Sequence, residues 1–127
     1  MFQYYNANPH RKRVDDCTVR AISLATNCSW DKAFIELSEF ARAQCTMPND
    51  VLYIDEYLER HFEKVCGCRR KNRITVEEFV IQHPEGIYLI TMNGHITCAI
   101  NGTIYDTFDP GDRYVWDAYR VDEKERD

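Results

Sequence analysis

The stretch Gly94-His95-Ile96-Thr97-Cys98-Ala99-Ile100-Asn101-Gly102-Thr103-Ile104-Tyr105-Asp106 reads as two β-strands joined by a two-residue turn. Asn-Gly between apolar and β-branched residues is the strongest short hairpin signal, because both turn positions need a left-handed backbone that Asn and Gly adopt at low cost. The strands are expected over 95–100 and 103–108. With a two-residue turn Ile100 opposes Thr103, and counting back sets His95 opposite Phe108. Side chains alternate faces along a strand and opposed residues share one. Asp106 then shares a face with His95 and lies diagonal to it, about 7–8 Å away between backbones, which a carboxylate and an imidazole can span. Cys98 and Asp109 point the other way, and a three-residue turn would shift the parity and select Asp109 instead.

Upstream, residues 86–92 read as another strand closed by Asn93-Gly94. Thr75 and Glu78 have capping-box spacing for a short helix ending near His83-Pro84. Residues 65–68 (Val-Cys-Gly-Cys) read as a short strand, and 114–121 as a last one. The end, 122–127, is a charged tail with no need of order. Before residue 64 the period changes. Asp15 and Asp16 precede a run, Cys17 to Thr26, that is apolar on more than one face, as in a buried helix. Ser29 caps a second helix with Trp30, Ala33, Phe34, Leu37 and Ala41 on one stripe, and Val51, Ile54, Leu58 and Phe62 mark a third. Residues 1–15 read as an extended or looped lead-in. Helices first and an antiparallel sheet afterwards make one α+β domain over 1–127.

The chain has 127 residues, with 16 Lys+Arg against 21 Asp+Glu, a formal net charge of −5. A hydrophobic content of 44% is too rich for a disordered chain, and no apolar run is long enough for a membrane span. An acidic balance argues against a protein that coats nucleic acid, which needs surplus cations to displace counterions. The basic cluster Arg69, Arg70, Lys71 and Arg73 reads as a solvated loop. The N-terminal residues lack the apolar stretch of a secretory signal, so a reducing cytoplasm is expected and the six cysteines are expected as thiols. Cys66 and Cys68 have no second ligand pair at zinc spacing, and no motif calls for a metal or cofactor.

One cysteine has an address suited to chemistry. Cys17 opens the first helix, where unpaired N–H groups and the macrodipole stabilise a thiolate. His61, late on a helix, and His83, before a proline, occupy ordinary surface positions; His95 has the facing carboxylate of Asp106. Asp16 reads as an N-cap and an i,i+4 partner of Arg20. The bland readings are a packing thiol at position 17 and a structural cross-strand bond between His95 and Asp106. Tyr114, Trp116 and Tyr119 read most simply as a cover over the sheet.

The stretches Asp16-Cys17-Thr18-Val19-Arg20-Ala21-Ile22, Gly94-His95-Ile96-Thr97 and Tyr105-Asp106 resemble the papain-like cysteine peptidases, specifically small bacterial and phage members related to the bacteriocin-processing peptidase domains. The resemblance implies a central helix packed on an antiparallel sheet and a thiol hydrolase that cleaves a peptide or isopeptide bond. It implies catalytic roles for Cys17, His95 and Asp106, and a protein or peptide as substrate. Those families place a glutamine shortly before the nucleophile as an oxyanion donor, and the six-residue offset falls here on Arg11. Asn6 and Asn8 are the other candidates on the lead-in, with the Cys17 backbone N–H beside them. A noncatalytic binding module on the same fold, such as a phage-encoded host-interaction protein acting in the host cytoplasm, is the alternative.

Overall fold

Asn101 and Gly102 both sit at positive φ, 48° and 82°, as the two centres of a type I′ turn require. Ile100 pairs with Thr103, so the turn holds two residues and the register is the one counted from the sequence. The turn joins β4 (His95–Ile100) to β5 (Thr103–Asp106). The other elements are β1 (Phe2–Tyr4), α1 (Cys17–Thr26), α2 (Trp30–Ala43), α3 (Val51–His61), β2 (Glu63–Gly67), α4 (Val76–Gln82), β3 (Ile87–Met92) and β6 (Asp117–Val121). The computed structural model describes residues 1–67 and 73–127, the side chains of residues 51 and 52 excepted. Cys68, Arg69, Arg70 and Lys71, and the readings attached to them, lie outside the described residues.

The strands form one sheet in the order β1-β5-β4-β3-β6-β2. The fold is α+β, but the sheet is mixed rather than antiparallel throughout. β5 exposes an edge of unpaired backbone groups, and the N-terminal lead-in fills it. Phe2 to Tyr4 runs parallel to β5, with Ile104 N–H donating to Met1 O and Tyr5 N–H to Asp106 O. β5 ends two residues earlier than expected because Thr107 N–H turns back onto Asp106 Oδ1 at 2.7 Å. The strand expected over 114–121 divides between two partners. Tyr114 bridges Thr75 and Val115 N–H donates to Ile74 O, whereas β6 proper pairs with β3 from Asp117 onward.

β3 is buried at every position and lies in the middle of the sheet, consistent with its unbroken run Ile-Tyr-Leu-Ile-Thr-Met. Ile87, Leu89, Ile96, Cys98, Tyr119 and Val121 pack against α1, α2 and α3. Tyr88, Ile90, Ala99, Ile104 and Ala118 pack with Val76, Phe79 and Val80 of α4 in a second cluster. Helix α1 is buried nearly all round, as its sequence requires. In α2, Ala33, Leu37 and Ala41 enter the core, while Phe34 remains 43% exposed and stacks on Trp30. Ser29 caps α2, and Thr75 with Glu78 completes both bonds of a capping box on α4.

The charged tail is docked. Arg126 donates through Nε to Ala25 O and through Nη2 to Leu24 O, and Asp127 N–H donates to Thr26 O. The bonds to Ala25 O and Thr26 O satisfy carbonyls in the last turn of α1, Leu24 O also accepting from the C-cap Asn27 N–H, and a cation there complements the negative end of the macrodipole.

Candidate active site

The chain enters α1 through Asp16, at the N-cap position, yet the Asp16 side chain does not cap the helix. Its carboxylate accepts from Asn8 Nδ2 at 3.2 Å, Trp30 Nε1 at 3.0 Å and Arg20 Nε at 2.8 Å. Arg20 then reaches to β5, donating through Nη1 to Thr107 Oγ1 at 3.1 Å and to Asp106 Oδ1 at 3.4 Å. The guanidinium thus bridges two buried carboxylates, and its own side chain is only 12% exposed. Burial of such charges is tolerable only when they are paired and hydrogen-bonded, which this chain of contacts provides.

Asp106 accepts from His95 Nε2 through its other oxygen at 2.7 Å. The His95 and Asp106 side chains are 6% and 3% exposed. Burial pushes the Asp106 carboxyl up, but the His95 hydrogen bond and charge outweigh this and hold it below its ordinary value. An ionised carboxylate only accepts, so Nε2 carries the proton and Nδ1 is the nitrogen left for the thiol. Cys17 and His95 lie side by side in one cleft, and each shifts the titration of the other. Burial opposes ionisation of Cys17, yet the neighbouring His95, with Ile96 N–H and Arg20 behind it, draws its pKa below 9.0. Burial also opposes the charge on His95, and Asp106 and Cys17 together raise that group from 6.5 to about 9. Both shifts favour the charged pair, thiolate beside imidazolium, over the neutral one. Phe108, the residue counted opposite His95, lies against its ring with centroids 4.7 Å apart.

Cys17 and His95 open into a cleft of about 320 Å³. The β3–β4 turn at Asn93 and Gly94 forms one wall, with Trp116 and Ile54 among the other lining residues. Trp116, expected as a cover over the sheet, is part of the cleft lining. The lead-in side chains are held elsewhere: Asn8 donates to Asp16, Asn6 Nδ2 donates to Lys12 O, and Arg11 is exposed at φ 54°. None of the three lines the cleft. The backbone start of α1, which the Asp16 side chain does not cap, is left as a donor at the thiol.

The remaining thiols divide by burial. Cys98 is fully buried on the helix side of β4, and burial pushes its thiol up to about 12. Cys28 packs at the end of α1, whereas Cys45 is exposed at φ 57° and lies outside both core clusters, a departure from the expectation of a packing residue. Its position in the turn after α2 takes it out of the core stripe. His61 stacks on Tyr57 and His83 on Phe79, each also bonded to the carbonyl of that residue. Among the described residues no three His, Cys, Asp or Glu side chains converge as a metal site, and no helix is long and apolar enough to cross a membrane.

The sequence identified Cys17, His95 and Asp106; the fold hydrogen-bonds His95 to Asp106 and sets Cys17 in the same cleft as His95. It missed that Arg20 continues the line from Asp106 to Asp16. The i,i+4 spacing of Asp16 and Arg20 was a legible signal, but the second arm of Arg20 spans 86 residues. No family model, curated protein or solved structure matches the chain.

Proposed function

We propose that the protein is a papain-like thiol hydrolase that cleaves a peptide or isopeptide bond through Cys17, His95 and Asp106. The observation that carries this reading is that one imidazole, His95, donates to a buried carboxylate 2.7 Å away and shares a cleft with the half-buried thiol that opens α1. A packing cysteine has no need of a raised, oriented histidine. The alternation of roles follows from the protons.

The Cys17 thiolate attacks the carbonyl carbon, and the carbonyl π electrons move to oxygen. The N–H of Cys17 and the first turn of α1, left uncapped by Asp16, receive that oxyanion. Each such donor is worth about 10²–10³ in rate. The imidazolium Nδ1 gives its proton to the leaving amine as the C–N bond breaks, leaving a thioester. Neutral His95 then takes a proton from water, the hydroxyl adds to the thioester, and the acid departs as the C–S bond breaks. Asp106 holds Nε2 throughout, so that Nδ1 faces the sulfur. The setting is a reducing compartment, the cytoplasm in this reading, because a disulfide at Cys17 would abolish the nucleophile.

The test is incubation of the protein with a proteome-derived peptide mixture, followed by mass spectrometry of new termini. Cleavage by the parent and none by Cys17→Ala supports the reading. No cleavage and no acyl-enzyme under reducing conditions, with a folded protein, removes it and leaves a binding module on the same fold.

A further inference from the structure

Beside the thiol cleft lies a second depression of about 490 Å³, lined by Arg73, Asn93, Arg113, Tyr114 and Trp116. Asn93 and Trp116 line both, so the two hollows adjoin at these residues and one extended chain can cross them. The second hollow has a different chemistry. The Arg73 guanidinium carbon lies 4.4 Å from the Tyr114 ring centroid, and that of Arg113 lies 4.9 Å from the Phe108 centroid. A guanidinium held on a ring face has already lost much of its rotamer freedom, while its N–H edges remain available to an acceptor in the ring plane. Among the described residues neither arginine has a carboxylate within ion-pair distance.

We propose that Arg73 and Arg113, with Tyr114 and Trp116, form a subsite for an acidic side chain of the peptide that occupies the Cys17 cleft. The assignment rests on the hydrolase reading for the identity of the bound chain, and it names that chain's chemistry. Two rigid forks in an open hollow match a carboxylate, which accepts two parallel N–H bonds. The aromatic floor covers the methylenes of Glu or Asp. A polyanion fits less well, because the whole protein carries −5 and repels any ligand charged along its length.

The experiment measures binding to Cys17→Ala protein, which separates recognition from turnover. The probe is a fluorescein-labelled peptide pool, randomised except for one position fixed as Glu, Gln or Lys, read by fluorescence anisotropy. The Glu pool binds about tenfold more tightly than the Gln pool, the size of one charge-assisted contact, and Lys binds worst. Arg73→Gln or Arg113→Gln removes most of the Glu preference, and Arg73→Lys retains part of it. Equal binding of the three pools, or a Glu preference that survives both Gln variants, overturns the proposal. So does a single-stranded oligonucleotide that outcompetes the Glu pool and loses affinity in the same variants. Iodoacetamide labelling of Cys17 in the parent protein keeps the two readings apart: an inert thiol with an intact Glu preference removes the hydrolase and leaves the acidic-peptide site standing.

Discussion

His95 Nε2 donates to Asp106 Oδ2 at 2.7 Å across the β4–β5 ladder, diagonally rather than directly opposite. The pair Cys98 and Tyr105 is the last one assigned in that ladder, and Asp106 lies one step beyond it. The bond raises His95 toward about 9 and fixes which nitrogen faces the sulfur. Asp106→Asn is expected to lower turnover by about 10²–10⁴, the usual worth of a positioned acid–base system, and to shift the alkaline limb of the pH profile downward. Asp109→Asn leaves the profile in place, because Asp109 Oδ1 is spent on Gly111 N–H in the following turn. Steady-state kinetics against pH decides between them.

The same bond makes stability depend on pH in a defined direction. His95 has a higher pKa folded, about 9, than the 6.5 of an unperturbed imidazole. Its contribution is therefore complete below 6.5 and is lost as pH rises through about 9. The melting temperatures of parent and His95→Ala should differ most in mildly acidic solution and converge in alkali. A gap that widens with rising pH would contradict the assignment of charge.

Arg20 acts through its neighbours, as a positioning residue. Arg20→Met leaves Asp16 and Asp106 buried without their shared cation, and breaking a buried pair of this kind costs about 3–5 kcal/mol. Arg20→Lys keeps charge but not the fork that reaches both carboxylates. It should fold, with kcat reduced more than KM is raised and with an altered pH profile, which a purely structural role would not produce. Urea unfolding alongside kinetics separates the two effects.

Core and rim of α2 should respond differently. Leu37 is fully buried and Leu37→Ala should cost about 2–5 kcal/mol. Phe34, 43% exposed and stacked on Trp30, should cost about 1 kcal/mol as Phe34→Ala, within the range of an aromatic pair. Chemical denaturation of both variants checks the contrast.

Local signals carried most of what could be read in advance. Asn101-Gly102 set the turn and the parity that singled out Asp106, and Thr75 with Glu78 set the start of α4. Cys17 was legible because a helix start follows from its neighbours. Illegible features all depended on contacts distant in sequence. Nothing near Phe2 signals that β5 leaves an open edge for it, and nothing near Arg126 signals the bare carbonyls at the end of α1. The Asp16 carboxylate looked like a cap because capping is a local interaction; Trp30, Asn8 and Arg20 compete for it only after folding. Tyr114 likewise reads as strand until Thr75 claims it.

The central claim is that His95 favours the thiolate form of Cys17, and its direct measure is the ultraviolet thiolate absorbance titrated against pH, as the difference between the parent and Cys17→Ala. The account predicts that the Cys17 thiolate forms below 9.0 in the parent. In His95→Ala it should form above that value, since burial then acts with much less opposition. A Cys17 titration at or above 9.0 in the parent, unmoved by His95→Ala, would contradict it.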